Sequence, residues 1–191
     1  MRYLQTHNNA DLSLDDPQGT FMEPRVVVLH WTAGSSADSA WNIFAPTRLR
    51  GRTNLQDAGA LNVSAHFIVD RDGTPYQLME TTRIGRHTIG LNHLSIGIEN
   101  VGDDERWPLT EEQVQTNIDL VRWLASQHEI THLIGHHEYQ EMEGHAYFKE
   151  LDPTYRTVKI DPGDTFVQKV WDGVAELELQ RAGSSSDTER P

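Results

Sequence analysis

Three short apolar runs in this chain end on an ionisable side chain: VVVLH closes on His30, SIGIE on Glu99 and HLIGH on His136. Each run has the length, apolar content and flanking turn residues of a buried strand. A polar group at the end of such a strand costs several kcal/mol to bury unless something pairs with it. One such ending is most simply structural. Three in a chain of 191 residues point to one shared site.

The intervening segments supply the rest of a domain. SSADSAWNIFA has helical spacing behind small polar cap candidates, and VSAHFIVDRDGTPYQLME reads as a hairpin around Asp72-Gly73. In LTEEQVQTNIDLVRWLASQHE, Thr110 and Gln113 form a capping-box pattern, and Val114, Ile118, Val121 and Ala125 make an apolar stripe. From Glu138 to Val158 the chain is polar, aromatic and aperiodic, a long loop able to carry function. A last helix starts at Asp164 and buries Phe166, Val167, Val170 and Trp171. Strands mixed with helices at this length predict a single α/β domain around one sheet.

Composition excludes several function classes. The net charge is −13, and only three of the sixteen basic residues are lysines, a surface that repels nucleic acid and anionic membranes. No apolar run approaches the roughly 20 residues of a membrane span, so membrane insertion is not expected. MRYLQTHNNADLSLDD has no apolar segment of the kind a secretory signal requires. There is no cysteine, which removes disulfides and thiolate metal sites but leaves the compartment open.

Two neutral imidazoles and one carboxylate are a common ligand set for a catalytic zinc. With His30 and His136, the natural carboxylate is Asp161, whose direction is fixed by the following Pro162-Gly163 turn. On extended backbone, residues two apart project to the same side, so Lys159 faces wherever Asp161 faces. A plain surface ion pair would read the same way. Glu99 then completes a device for amide hydrolysis. A carboxylate that does not bind the metal takes the proton of an activated water, and Lys159 meets the oxyanion.

At these residues the chain resembles the zinc-dependent N-acetylmuramoyl-L-alanine amidases, whose fold is shared by peptidoglycan recognition proteins and amidase-type phage lysozymes. The matching segments run in order: VVVLHWTAG, NVSAHFIVDRDGTPYQL, LNHLSIGIENVG, LIGHHE and KIDPG, across residues 25 to 163. The resemblance implies a central mixed β-sheet flanked by helices. It implies one zinc per chain held by His30, His136 and Asp161, with Glu99 and Lys159 catalytic. His87 falls where many members have a histidine lining the substrate groove, and Asn92, which matches an asparagine ahead of the glutamate strand, is a second substrate-binding candidate. His66 reads first as a buried, hydrogen-bonded residue beside the site and stands as a further groove candidate. The stretch between His136 and Lys159 is longer than in compact members of the family and does not follow their sequence.

The implied activity is cleavage between N-acetylmuramic acid and the L-alanine of a peptidoglycan stem peptide, in polymeric peptidoglycan or in soluble muropeptides. A non-catalytic muropeptide-binding module is the competing reading. A monomer in the bacterial envelope (periplasm) or outside the cell is the simplest setting, with the cytoplasm left open. The expected organisation is an N-terminal extension over 1–24 packing on the domain, an amidase domain over 25–181, and a disordered tail over 182–191.

Overall fold

The computed structural model of the chain describes residues 20–49 and 61–184. Five strands form one mixed sheet: β1 (Val26–Trp31), β2 (Phe67–Val69), β3 (Pro75–Gln77), β4 (Ser95–Asn100) and β5 (His132–Gly135). Their order is β3-β2-β4-β1-β5, with β2, β4, β1 and β5 parallel and β3 antiparallel at one edge. Parallel strands are covered on both faces, and the unbroken run Val26 to Leu29 accordingly has no exposure. β3 begins at Pro75 and is exposed throughout, as an edge strand tolerates.

The two faces are covered differently. Val27, Leu29, Ile96, Ile98, Phe67 and Leu133 point to one side, where they pack under α2 (Glu111–Gln127) and α3 (Asp164–Gly173). Val26, Val28 and Ile134 point to the other, against Ile89, Leu91, Leu94, Tyr139 and Met142 from connecting segments. On that side α1 (Ala37–Phe44), capped by the Ser36 hydroxyl, lays Ala40 against Ile68. The expected sheet flanked by helices is therefore present, with the two larger helices together on one face.

Local details follow the sequence closely. The hairpin turns at Gly73, whose φ of 84° suits glycine. Thr110 and Gln113 cap α2 reciprocally. The expected long loop is partly ordered: a 3₁₀ segment spans His136–Met142 and buries Tyr139 and Met142. Of the expected N-terminal extension, only residues 20–24 are described. There Met22 joins the core and Phe21 bridges to Arg83. The expected tail starts too early, because Ala182 is buried against the second cluster and Gln180 pairs with the start of β5. Residues 185–191 lie outside the described residues. Trp41 and Trp123 are half exposed.

One polar feature of the core was not read from the sequence. Gln113 donates to the carbonyls of Val69 and Val101, and Asn117 donates to Asn100 Oδ1 at 2.6 Å. Asn100 Nδ2 in turn donates to the His30 carbonyl at 3.0 Å. All three amides are fully buried. Burying them costs free energy unless each bond is made, so the chain fixes the spacing between α2 and the end of β1. Asn117→Ala removes a link and strands Asn100. We expect a loss of about 2–3 kcal/mol and a melting temperature lower by roughly 4–10 °C, measured by calorimetry.

Candidate active site

The sheet order brings the three ionisable strand ends together. β4, β1 and β5 are neighbours, and His30 is in register with Glu99. Leu29 is in register with Gly135, so His136 leaves β5 level with His30. Partners in register on adjacent parallel strands face the same side, which here is the side away from α2 and α3. The carboxyl ends of parallel strands are where open α/β sheets build their sites.

Asp161 arrives from the segment ahead of α3. His136 Nδ1 lies 2.9 Å from its Oδ2, His30 Nδ1 lies 3.3 Å from the same oxygen, and the two Nδ1 atoms are 2.9 Å apart. These donor atoms all lie within 4.8 Å of one another. A tetrahedral zinc with ligands at about 2.0–2.1 Å separates its ligand atoms by roughly 3.3 Å, so the set fits the ion. Three protein ligands leave a position for water or substrate, the pattern of a catalytic zinc.

The protonation states suit a cation. Burial pushes His136 down to about 4, helped by neighbouring His30, so its imidazole is neutral near pH 7. Burial pushes the Asp161 carboxyl up, but the hydrogen bond from His136 and the adjoining His30 imidazole outweigh it and hold the group well below the usual carboxylate range.

A groove of about 270 Å³ opens over these residues. Glu99 and Lys159 line it, together with Trp31, Ile43, Phe44, Arg86, His87, Tyr155 and Thr157. Backbone alternation along 157–161 is clear: Thr157, Lys159 and Asp161 face the groove, while Val158 and Ile160 are 88% and 63% exposed. Asp161 and Lys159 thus share a side, as their spacing predicts. His137, next to a donor in the chain, is not in the donor cluster. Its backbone N–H donates to the Asp161 carbonyl at 2.9 Å, and its ring meets Asp164. It secures the segment that carries the carboxylate.

The three groove candidates divide. His87 lines the groove. Asn92 is fully buried, and its Oδ1 accepts from the backbone N–H groups of His87 and Thr88 at 2.8 and 2.9 Å. His66 is also fully buried, with Nε2 donating to the Arg83 carbonyl and Nδ1 accepting from the Gly97 N–H. Both hold backbone behind the groove, and neither presents a surface to it. Substrate contact gives way for Asn92, and for His66 the first reading, a buried and hydrogen-bonded residue beside the site, is the one its backbone contacts match. Sequence reasoning missed Asn100 and Asn117. The signal was present at Asn117, a polar residue three positions after Val114 and within the apolar stripe of α2.

Comparison with known proteins places the chain. The sequence model of the family described as N-acetylmuramoyl-L-alanine amidase matches residues 20–164. Mouse Peptidoglycan recognition protein 3 is 24% identical over 123 residues, 63% of this chain and 35% of that protein. The endolysin of Enterobacteria phage T3 is 34% identical over 86 residues, 42% of this chain and 57% of the endolysin. The chain therefore spans between a third and three fifths of these curated relatives. Among solved structures, N-acetylmuramoyl-L-alanine amidase LysC from Clostridium intestinale URNW superposes with a TM-score of 0.54 at 21% identity, covering 83% of this chain and 88% of that one. Human PGRP-IBETAC, solved with glycosamyl muramyl pentapeptide, gives 0.54 at 15% identity, covering 78% and 83%. Both share the fold.

Burial holds the His66 ring down to about 4 in the folded chain, against about 6.5 when unfolded. The unfolded state therefore takes up a proton first, and stability falls as the pH drops from about 6.5 to about 4. Denaturant unfolding at pH 7.5 and 4.5 should show His66→Gln less stable than wild type at the higher pH. The variant's loss between the two pH values should be smaller by about 2 kcal/mol.

Proposed function

Because the chain belongs to the N-acetylmuramoyl-L-alanine amidase family, we propose that it is a zinc-dependent hydrolase of the amide between N-acetylmuramic acid and the L-alanine of a peptidoglycan stem peptide. The observation that carries this reading is the meeting of His30, His136 and Asp161 donor atoms within 4.8 Å, with Glu99 and Lys159 on the same groove. A binding module has no need of a buried carboxylate beside an open metal position.

His30, His136 and Asp161 would hold one zinc, which supplies Lewis-acid polarisation and an acidified water when bound. Glu99, buried at the end of β4, takes the water proton on its carboxylate as oxygen adds to the amide carbon. The Lys159 ammonium faces the negative charge that develops on the carbonyl oxygen. Glu99 then returns the proton to the leaving nitrogen as the carbon–nitrogen bond breaks. The products are a lactyl carboxylate and a stem peptide with a free L-alanine amine. Peptidoglycan or muropeptides are thus the partner, recognised in the groove without long-range attraction, since a net charge of −13 repels anionic wall polymers. We place this activity in a monomer acting in the cell envelope or outside the cell.

Mass spectrometry of sacculi and soluble muropeptides incubated with zinc-loaded protein tests the assignment. Stem peptides beginning at L-alanine should appear with wild type. Glu99→Ala should bind zinc normally and lose nearly all turnover. Lys159→Ala should keep zinc and lose roughly 10²–10³-fold in rate, whereas Asp161→Ala should lose zinc affinity too. Normal turnover by Glu99→Ala would sink the general-base role. No cleavage by wild type with one zinc per chain would favour a muropeptide-binding module instead.

A further inference from the structure

We propose that His87 is a positioning residue, which fixes the tautomer of His30 so that its Nδ1 presents a bare lone pair to the metal. The argument rests on a chain of three polar contacts. His87 Nε2 lies 3.1 Å from the backbone carbonyl of Ser95. A carbonyl only accepts, so His87 carries its proton on Nε2. A neutral imidazole holds one such proton, and His87 Nδ1 is therefore an acceptor. That nitrogen lies 3.1 Å from His30 Nε2. Were the His30 proton on Nδ1, two lone pairs would face each other across this distance. With the proton on Nε2, His30 donates to His87 and its Nδ1 points bare toward His136 and Asp161.

The surroundings hold His87 in that role. Its backbone N–H donates to the buried Asn92 side chain. Its ring lies on Gly97, where an added Cβ would come within 2.8 Å of it. The Thr88 hydroxyl lies 2.8 Å from Nδ1. Both ring nitrogens of His87 are thus engaged inside the protein although the residue lines the groove. A ligand histidine whose second nitrogen is held in this way keeps its orientation and basicity, and loss of the holder typically lowers metal affinity 10–100-fold. Here the holder is a second imidazole, anchored in turn by the backbone of β4.

The consequence for zinc rests on the reading above, but the tautomer does not. Long-range ¹H–¹⁵N correlation spectra of the metal-free protein at pH 7.5, with no substrate present, report it directly. His30 and His87 should both show the Nε2–H form. A His30 proton on Nδ1 overturns the inference whatever the enzyme's activity. Zinc competition titrations then test the role. His87→Leu should weaken zinc binding 10–100-fold, and His87→Asn, which keeps an acceptor near the Nδ1 position, should recover most of it. Unchanged zinc affinity in His87→Leu with a raised KM would make His87 a substrate contact instead.

Discussion

The parallel pairing of β4, β1 and β5 is the constraint on which everything else depends. It is a backbone fact before it is a chemical one. Once Val26 to Leu29 are fixed between two parallel neighbours, the last side chains of three strands must share one edge and one face. A slip of one residue in β1 would turn His30 into the core and Leu29 into the groove. The unbroken apolar run in β1 does not resist such a slip by itself, since both faces are apolar. Resistance comes from the buried amides: Asn100 grips the His30 carbonyl, and Asn117 grips Asn100 from α2. The polar part of the core thus sets the register that the apolar part leaves free.

The same economy appears around the donor cluster. Two of the three donors are held by groups with no part in the chemistry: His30 by His87 and Asn100, and Asp161 by His137. Glycine contributes by absence. Gly97 sits in the middle of β4 because the ring of His87 lies where a Cβ would be. A weak strand residue is thus tolerated for the close approach it allows.

Much of this was legible in the sequence because it rests on short-range rules. Strand ends at His30, Glu99 and His136 followed from apolar runs, the α2 cap from Thr110 and Gln113, and the shared side of Lys159 and Asp161 from a two-residue period. What was not legible depends on contacts between distant segments. Nothing near His66 or Asn92 in the chain says that Gly97 or His87 backbone will occupy their polar atoms. Asn92 was therefore given to substrate, whereas the first reading of His66, a buried and hydrogen-bonded residue beside the site, matches its place. Ala182 looked like the start of a loose tail, yet pairing of Gln180 with β5 draws it into the core.

His136 and Asp161 are 25 residues apart, and the segment between them belongs to no strand and no α-helix. Tyr139 ties its start to Thr157 near its end through two bonds to one hydroxyl. A metal shared by His136 and Asp161 would close the same loop a second time. In a chain with no cysteine, that closure takes the place of a disulfide in the folded state, and it stabilises because the ion binds the folded chain rather than by restricting the unfolded one. The ion would then be a staple as much as a reagent. Its removal would open the 137–160 segment to proteases while the sheet beneath stayed intact.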